Sequence, residues 1–128
     1  MAHYVDGYVL PVPKKNLQTY RRIAQKAGKI WREHGALEYR ECVAEDLGWG
    51  IATSFPRSVR LEEGEIVVLA WATYRSRAHR DEVVALAEDD PWNALFEHGD
   101  MPFDIRRVFF GGFEELLALP ATPEPARI

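Results

Sequence analysis

The chain has 128 residues, of which 47% are hydrophobic and 28% are charged, and its formal net charge is −4. These values are typical of a single globular domain with one hydrophobic core. The longest apolar run, at 66–72, has seven residues, which excludes a membrane-spanning helix of roughly 20 residues. The single cysteine, Cys42, excludes an internal disulfide. Because the first ten residues also lack a signal-peptide pattern, we expect a cytoplasmic protein.

The first half of the chain predicts a strand, a helix and a second strand. Residues 3–10 alternate as a strand does and end before Pro11. Residues 14–34 predict a long helix that stops at His34 and Gly35, with a histidine in the last turn and a glycine suited to the left-handed position. Residues 36–44 predict the second strand. The apolar stripe of the helix, with spacings of three and four, consists of Leu17, Tyr20, Ile23, Ala24, Ala27, Ile30 and Trp31.

The predicted helix is also the basic part of an acidic chain. Residues 14–34 contain seven of the 16 Lys and Arg residues and a single acidic residue, Glu33. Most of these charges lie off the apolar stripe, so a solvated helix face explains them. A basic helix is also one way to bind RNA phosphates, but the acidic net charge and the lack of stacking aromatic residues on the basic face disfavour nucleic acid as a partner.

The second half predicts strands at 65–75 and 106–110 and a helix from the N-cap Ser76 to about Asp89. His79, Val83, Leu86 and Ala87 share one face of that helix. The connection at 45–64 is long enough to need local structure, and the segment at 91–104 reads as irregular. Paired glycines at 111–112 indicate a bulge or bend. The buried residues expected in the two connecting segments are Trp49, Ile51, Phe55, Val59, Trp92, Leu95, Phe96, Met101 and Phe103.

This βαββαβ order predicts an α+β, ferredoxin-like fold, a four-stranded antiparallel sheet with two helices on one face. We expect residues 1–118 to form this single domain and residues 119–128, which are rich in proline, to form a disordered tail. Both faces of the predicted strands carry aromatic and aliphatic residues. Since a monomer avoids an exposed apolar sheet, we expect a homodimer that pairs through its sheet faces.

Four segments carry a resemblance to a known family: YVDGYVLPVPKKNLQTYRRIAQKAGKIWREHGALEYRECV, TSFPRSV, YRSRAHRDEV and MPFDIRRVFFGGFEEL. They resemble the YbaA-like family of uncharacterised bacterial proteins from about residue 3 to residue 117, whereas residues 92–100 depart from that pattern. The family is similar to the dimeric α/β-barrel group, in which two ferredoxin-like sheets close around a central cavity. Several members of that group are cofactor-independent enzymes or act on haem, and the resemblance therefore implies a cavity in which a His, Asp, Tyr or Trp polarises a substrate.

The candidate catalytic residues are Asp6, His79 and Glu41. A buried Asp6 would have a raised pKa and act as a general base, or it would pair with Arg106 or Arg107. His79 would act as an acid–base group near neutral pH, or it would only hydrogen-bond within the core. The residues expected to line the cavity are Tyr8, Tyr39, Trp71, Thr73, Met101 and Phe103.

Two weaker candidates have structural explanations. The position of His34 in the last turn of a helix is explained by the helix dipole and capping. Cys42 carries no nucleophile signature and is expected to act as a small hydrophobic residue. The segment Met101–Asp104 is either a lid over the cavity or a turn closed by Asp104.

The sequence carries no phosphate-binding loop, dinucleotide-binding fingerprint or zinc-spaced Cys and His residues. We therefore expect a protein that binds or transforms a small apolar or aromatic molecule in a cavity, without a metal or nucleotide cofactor. The alternatives are a non-catalytic dimeric interaction or stress-related module and, third, RNA binding through residues 14–34. Whether the protein is an enzyme stays open at this point.

Overall fold

The computed structural model describes residues 2–92 and 101–124. The strands are β1 (Tyr4–Pro13), β2 (Glu38–Val43), β3 (Glu65–Tyr74) and β4 (Phe109–Glu114), and the helices are α1 (Leu17–Glu33), α2 (Phe55–Ser58) and α3 (Arg77–Glu88). Short 3-10 turns precede α1 at Lys14–Asn16 and β4 at Ile105–Arg107. No helix of the described part is long and apolar enough to cross a membrane.

The four strands form one antiparallel sheet in the order β2-β3-β1-β4. This order, with β1 and β3 in the centre, is that of the ferredoxin-like fold, so the predicted fold class is confirmed. The register aligns Tyr8 with Ala70 on β3 and with Phe110 on β4, and Glu41 on β2 also aligns with Ala70. Aligned residues point to the same face, because side chains alternate along every strand.

α1 and α3 cover one face of the sheet, and their ends follow the predicted signals. The side chain of Ser76 accepts a hydrogen bond from the His79 amide at 3.1 Å, which satisfies a free donor at the start of α3. Gly35 follows α1 with a φ of 117°, in the range that favours glycine. Leu86 is half exposed, so the buried face of α3 consists of His79, Val83 and Ala87.

The connection between β2 and β3 has local structure, but the residues that pack it differ from those predicted. α2 begins after Ser54, whose hydroxyl accepts from the Arg57 amide. Val59 is buried with Val9 and Val67 on the face of the sheet opposite the helices. Trp49 is 70% exposed and Ile51 and Phe55 are also exposed, so the prediction that these three residues are buried was wrong. Hydrophobicity alone does not say which residues of a loop turn towards the sheet.

The end of β1 and the start of β4 also differ from the predictions. β1 continues through Pro11 and Pro13 because β4 pairs with it only as far as Val9, and a proline is tolerated where no neighbouring strand needs its amide. β4 starts at Phe109, after a 3-10 turn in which the Asp104 side chain accepts from the Arg106 amide.

No bulge occurs at the paired glycines, since the register with β1 runs through both of them. A Cβ on Gly112 would collide with the ring of Tyr4, so the close packing of Tyr4 explains why residue 112 is a glycine. Residues 119–124 are exposed and lie outside helices and strands. The rest of the predicted tail, and the predicted positions Leu95 and Phe96, lie outside the described residues.

The two faces of the sheet differ in chemistry. All five tyrosines of the chain lie between the sheet and the helices, together with Asp6 and Glu41. The opposite face, here called the open face, is covered by residues 44–61 at one end. At its other end it exposes apolar side chains, of which Phe113 is 63% exposed. The exposed apolar residues of the open face are Leu69, Phe109 and Phe113.

Candidate functional site

A cavity of about 200 Å³ lies between α1 and the sheet. It arises because Ala70 on the central strand β3 is small, whereas its neighbours on the same face, Tyr8 of β1 and Glu41 of β2, are large. Strands lie about 4.8 Å apart, so the two large side chains stand roughly 10 Å from each other across the alanine. The aromatic residues that line the cavity are Tyr8, Tyr20, Trp31, Tyr39 and Phe103.

Glu41 is the carboxylate of this cavity. Its Oε1 accepts a hydrogen bond from the Tyr20 hydroxyl, and its Oε2 accepts one from the Tyr39 hydroxyl at 2.9 Å. Among the described residues, no Lys, Arg or His lies within ion-pair distance of Glu41. Burial raises the pKa of Glu41, although the two tyrosine hydrogen bonds act in the opposite direction.

The three tyrosines around Glu41 remain protonated at neutral pH. Burial, reinforced by the nearby charge of Glu41, raises the pKa of both Tyr20 and Tyr39. Burial raises the pKa of Tyr8 to about 12, and Asp6 also contributes. The site therefore presents neutral phenol groups, two of which already donate to the one carboxylate.

Glu41, Tyr20 and Tyr39, here called the Glu41 cluster, also line a second space. This outer groove, of about 530 Å³, lies between α1 and the edge strand β2. Leu17 and Arg21 border it on the helix, and Val43 borders it on the strand. The Glu41 cluster is thus shared by the cavity and the outer groove and reaches both the aromatic interior and the surface.

The ring of Tyr39 lies against α1 at Gly28, which is buried. A Cβ at position 28 would come within 2.6 Å of that ring, closer than real side chains approach. Glycine costs a helix interior about 1 kcal/mol relative to alanine. Here it permits the contact between helix and strand that positions Tyr39 beside Glu41.

Asp6 is 4% exposed and lies on the helix side of the sheet, but it does not line the cavity. Its Oδ1 accepts from Nη1 of Arg80 at 2.7 Å, and the Arg80 guanidinium also lies 4.9 Å from the ring of Tyr4. The predicted partners Arg106 and Arg107 were wrong, since they pair with Asp104 and Glu65. Burial raises the pKa of Asp6 while Arg80 opposes that rise.

His79 is buried near the start of α3. Its Nδ1 accepts from the Arg75 amide at 3.0 Å, and its ring packs edge-on against Tyr74. Burial lowers the pKa of His79, so the imidazole is neutral near pH 7. It does not line the cavity, and the structure supports the alternative in which it hydrogen-bonds within the core. His34 ends α1 and lies 3.8 Å from a carboxylate oxygen of Asp90.

The predicted cavity residues divide between two faces. Tyr8, Tyr39 and Phe103 line the cavity with Glu41. Trp71 and Thr73 lie on the open face, where the Trp71 indole donates to Glu38 at 2.8 Å, and Met101 is partly buried outside the cavity lining. Within Met101–Asp104, Asp104 closes a turn and Phe103 packs against Tyr20. Sequence reasoning missed Tyr20 and Trp31, whose place on the apolar stripe of α1 was the available signal.

Cys42 is exposed on β2, not buried as we expected of a small hydrophobic residue. Its neighbour on the open face is Leu69. In residues 2–92 and 101–124, no group of three or more His, Cys, Asp or Glu side chains is placed to hold a metal ion.

The raised pKa of Glu41 predicts a pH-dependent effect of Glu41→Gln on stability. A carboxyl group with a higher pKa in the folded state than in the unfolded state favours folding at low pH, and that advantage is lost as the pH rises through the folded pKa. Glutamine carries no charge at any pH. We therefore expect Glu41→Gln to gain stability relative to the unsubstituted protein as the pH rises from 4 to 8, by up to about 1.4 kcal/mol for each unit of pKa elevation.

Urea unfolding at several pH values measures this difference. Glu38→Gln, on the same strand but on the open face, is the matched control and is expected to show a smaller dependence. A difference between Glu41→Gln and the unsubstituted protein that stays constant with pH would contradict the prediction.

Fold and site together define the class of this protein, a ferredoxin-like α+β domain with a tyrosine-rich cavity under its first helix. The chain belongs to the family described as "Protein of unknown function (DUF1428)", which matches residues 3–105. It is 41% identical over 115 residues to the uncharacterized protein YbaA of Escherichia coli strain K12, covering 89% of this chain and 97% of the relative. The YbaA protein of Shigella flexneri matches to the same extent.

Among solved structures, the chain is similar to a dimeric ferredoxin-like protein from an uncultured marine organism. The TM-score is 0.64 with 10% sequence identity, and the match covers 93% of this chain and 100% of the other. At that identity the likeness supports the fold alone. The family resemblance read from the sequence is confirmed by the YbaA relatives.

Proposed function

We propose that this protein binds a small, largely apolar molecule in the cavity between α1 and the sheet, with Glu41 as the polar group that orients it. The observation that carries the proposal is Glu41 itself, a carboxylate that has no cation beside it in the described part of the chain and that faces a space lined by five aromatic side chains. Binding sites for small molecules combine such apolar walls with a few placed polar groups. A shifted pKa at such a place is a further indication of a functional residue.

The volume limits the size of the ligand. An apolar protein cavity of about 150 Å³ holds one benzene molecule, so about 200 Å³ suits a single ring or a compact aliphatic group. A ligand with a polar end would keep that end at the Glu41 cluster and extend it towards the outer groove.

Glu41 also offers a chemical role. A carboxyl group whose pKa is raised towards neutrality exchanges a proton with a ligand more readily than an ordinary surface carboxylate. In the reading proposed here, Glu41 holds or moves a proton at the ligand's polar atom, while Tyr20 and Tyr39 keep its oxygens in place. The roles of Asp6 and His79 are then structural, because Arg80 and the Arg75 amide engage them.

Phenol is a suitable probe of the cavity, since it has one ring and one hydroxyl. We expect phenol to bind the unsubstituted protein with millimolar affinity or better and to raise its melting temperature. Ala70→Val adds two methyl groups at the cavity wall and is expected to weaken phenol binding at least tenfold, because the added volume displaces the ligand. Isothermal titration calorimetry measures both affinities.

The near-ultraviolet circular dichroism spectrum of Ala70→Val establishes that the variant is folded, and Thr73→Val on the open face of the same strand is the matched control. The absence of phenol binding to the unsubstituted protein would overturn the proposal and favour a non-catalytic interaction module. Equal binding to Ala70→Val would place the phenol site elsewhere.

We also propose that the protein is a homodimer that pairs through the uncovered end of its open face. The support is the set of exposed apolar residues there, Leu69, Phe109 and Phe113, since monomers avoid large exposed apolar patches. The marine protein of the same fold is described as dimeric. An isologous pairing would remove these side chains from water in both copies at once.

Phe113→Asp tests the dimer. We expect the unsubstituted protein to sediment at twice the chain mass of 14.7 kDa and Phe113→Asp to sediment as a monomer, because each interface would bury two unpaired carboxylates. Leu86→Asp, at a similarly exposed apolar position on α3, is expected to leave the mass unchanged. A monomeric unsubstituted protein, or a dimeric Phe113→Asp variant, would count against this pairing.

The proposed location is the cytoplasm. Cys42 is exposed and has no partner for an internal disulfide. A free exposed thiol suits a reducing compartment, and a fluorescent fusion in the bacterial host tests the location.

A further inference from the structure

We propose that the ligand of the cavity is a small organic cation of the ammonium type, held by the Glu41 carboxylate and the surrounding aromatic side chains. This inference rests on the proposed function and specifies the chemical class of its ligand. Three observations lead to it: the charge of the lining, the ion pairs of Asp6 and Glu65, and the aromatic content of the walls.

The charge of the lining is one-sided. Glu41 is its one acidic residue, and no Lys, Arg or His belongs to the lining among the described residues. The tyrosines contribute no charge at neutral pH, because burial raises their pKa. A neutral ligand would leave an ionised Glu41 without a counter-charge, whereas a cation would supply one.

Two other carboxylates of the chain, those of Asp6 and Glu65, are paired with arginines. Asp6 has Arg80 at 2.7 Å, and Glu65 has Arg107 at 2.7 Å. From the residues that the structure describes, Glu41 receives only neutral tyrosine hydroxyls. Carboxylates removed from water are normally paired with a cation. Of these three carboxylates, the partly buried Glu41 is the one without a cation among the described residues, and it also faces a cavity.

The walls suit an alkylated ammonium group. Aromatic rings attract cations through their electron-rich faces, and clusters of such rings recognise quaternary ammonium ligands. Five aromatic side chains line this cavity. A cation as compact as tetramethylammonium, with five non-hydrogen atoms, fits a cavity of about 200 Å³.

Cation binding should be coupled to proton release. Three tyrosines surround Glu41: Tyr8 on β1, Tyr20 on α1 and Tyr39 on β2. Two charged residues are near: Arg21 borders the outer groove, and Asp6 lies two residues before Tyr8 on β1. The tyrosines stay neutral because burial raises their pKa, and Asp6 is paired with Arg80. The cation must therefore displace the proton of Glu41 whenever the pH is below the pKa of that carboxyl group.

Tetramethylammonium chloride is the probe, because its charge does not change with pH, and tert-butanol is the neutral molecule of similar size and shape. Calorimetric titrations at constant ionic strength give the affinity of each. We expect the unsubstituted protein to bind tetramethylammonium at least tenfold more tightly than tert-butanol at pH 8. Below the pKa of Glu41, the affinity for the cation should fall tenfold with each pH unit, and the affinity for tert-butanol should not change through this group.

Variants locate the effect. Glu41→Gln is expected to weaken tetramethylammonium binding at least tenfold and to change tert-butanol binding less than about twofold. Glu38→Gln removes the same charge from the open face and is expected to change neither affinity. Ala70→Val should weaken the binding of both probes, because it fills the shared cavity.

The outcomes separate this inference from the function on which it rests. Equal affinity for the cation and for tert-butanol, or an unchanged cation affinity in Glu41→Gln, would overturn the inference, while phenol binding that Ala70→Val removes would still support the proposed function. If phenol, tert-butanol and tetramethylammonium all fail to bind, both proposals fall. Cation binding that persists in Ala70→Val would assign it to the acidic surface and also overturn the inference.

Discussion

Arg80→Met is expected to lower the free energy of unfolding by about 3 to 5 kcal/mol at neutral pH. Arg80 is the cation that faces Asp6, whose side chain is 6% exposed. Methionine keeps much of the apolar stem but leaves the Asp6 carboxylate in the core without its cation. Breaking one side of a buried ion pair costs far more than removing both sides, because the remaining charge stays desolvated.

The loss in Arg80→Met should depend on pH. Burial already raises the pKa of Asp6 while Arg80 opposes that rise, so removal of Arg80 raises it further. A raised folded pKa means that stability is retained at low pH, where Asp6 is protonated, and is lost as the pH rises through the folded pKa. Urea unfolding should therefore show a larger deficit at pH 8 than at pH 5.

The double variant Asp6→Asn/Arg80→Met is the matched control. It removes the carboxylate as well as the cation, so we expect it to recover most of the stability at pH 8. A deficit in Arg80→Met below about 1 kcal/mol, or no recovery in the double variant, would show that the pair does not have the role assigned to it.

Arg107→Met is the second substitution with a large expected effect, also about 3 to 5 kcal/mol. Arg107 donates through both terminal nitrogens to the two oxygens of Glu65, each at 2.7 Å, and it also donates to the Arg60 carbonyl at 3.1 Å. It thereby ties the turn before β4 to the start of β3 and to the end of the long connection. The side chains of Arg107 and Glu65 are only 14% and 7% exposed, so water cannot replace these contacts.

Arg106 provides an internal control for this prediction. It is the neighbouring residue, and its side chain is 87% exposed in its pair with Asp104. Solvent screens an exposed ion pair, so such a pair contributes little to stability, and Arg106→Met should have little effect on thermal unfolding. Equal losses in Arg106→Met and Arg107→Met would contradict the account.

The pH dependence of Arg107→Met has the opposite sign to that of Arg80→Met. The hydrogen bonds from Arg107 lower the pKa of Glu65 below its ordinary value. A group with a depressed pKa stabilises the fold above its unfolded pKa, and that contribution is lost as the pH falls through the folded pKa. The difference between the unsubstituted protein and Arg107→Met should therefore shrink in acid, which urea unfolding between pH 3 and pH 7 measures.

The elements that carry their own local signals were predictable from the sequence. Ser76 marks the start of α3, and Gly35 follows the end of α1 at a positive φ. The β-branched and apolar run of β3 predicted a strand within one residue of its observed end. These features depend on a few neighbouring residues, which a sequence displays directly.

The pairings across the fold were not predictable in the same way. Asp6 and Arg80 are 74 positions apart, and a sequence shows that both charges exist but not that they meet. Arg106 and Arg107 were equally reasonable partners until the turn at Ile105–Arg107 directed them to Asp104 and Glu65. The predicted strands are apolar on both faces, so the pattern did not say which face of the sheet carries Tyr8 and Glu41. A shift of one residue in the strand pairing moves every side chain to the other face.

The cavity illustrates the same limit. Glu41 was a candidate because it is a carboxylate on a predicted strand. Its partner Tyr20 lies on the apolar stripe of a helix, where an aromatic residue is expected to pack in the core. The space itself depends on Ala70 lying between two large neighbours on adjacent strands. That juxtaposition follows from the register of three strands, which becomes known only once the sheet is assembled.

The central claim is that a small molecule binds beside Glu41 under α1, and a crystal structure grown with 4-bromophenol tests it most directly. Bromine scatters anomalously, so its position can be located independently of the protein. The account predicts an anomalous peak inside the cavity, between Tyr8 and Tyr39, with the phenol oxygen towards Glu41, and no such peak in Ala70→Val. A bromine peak at the open face or the outer surface, together with no bromine in the cavity, would contradict the claim.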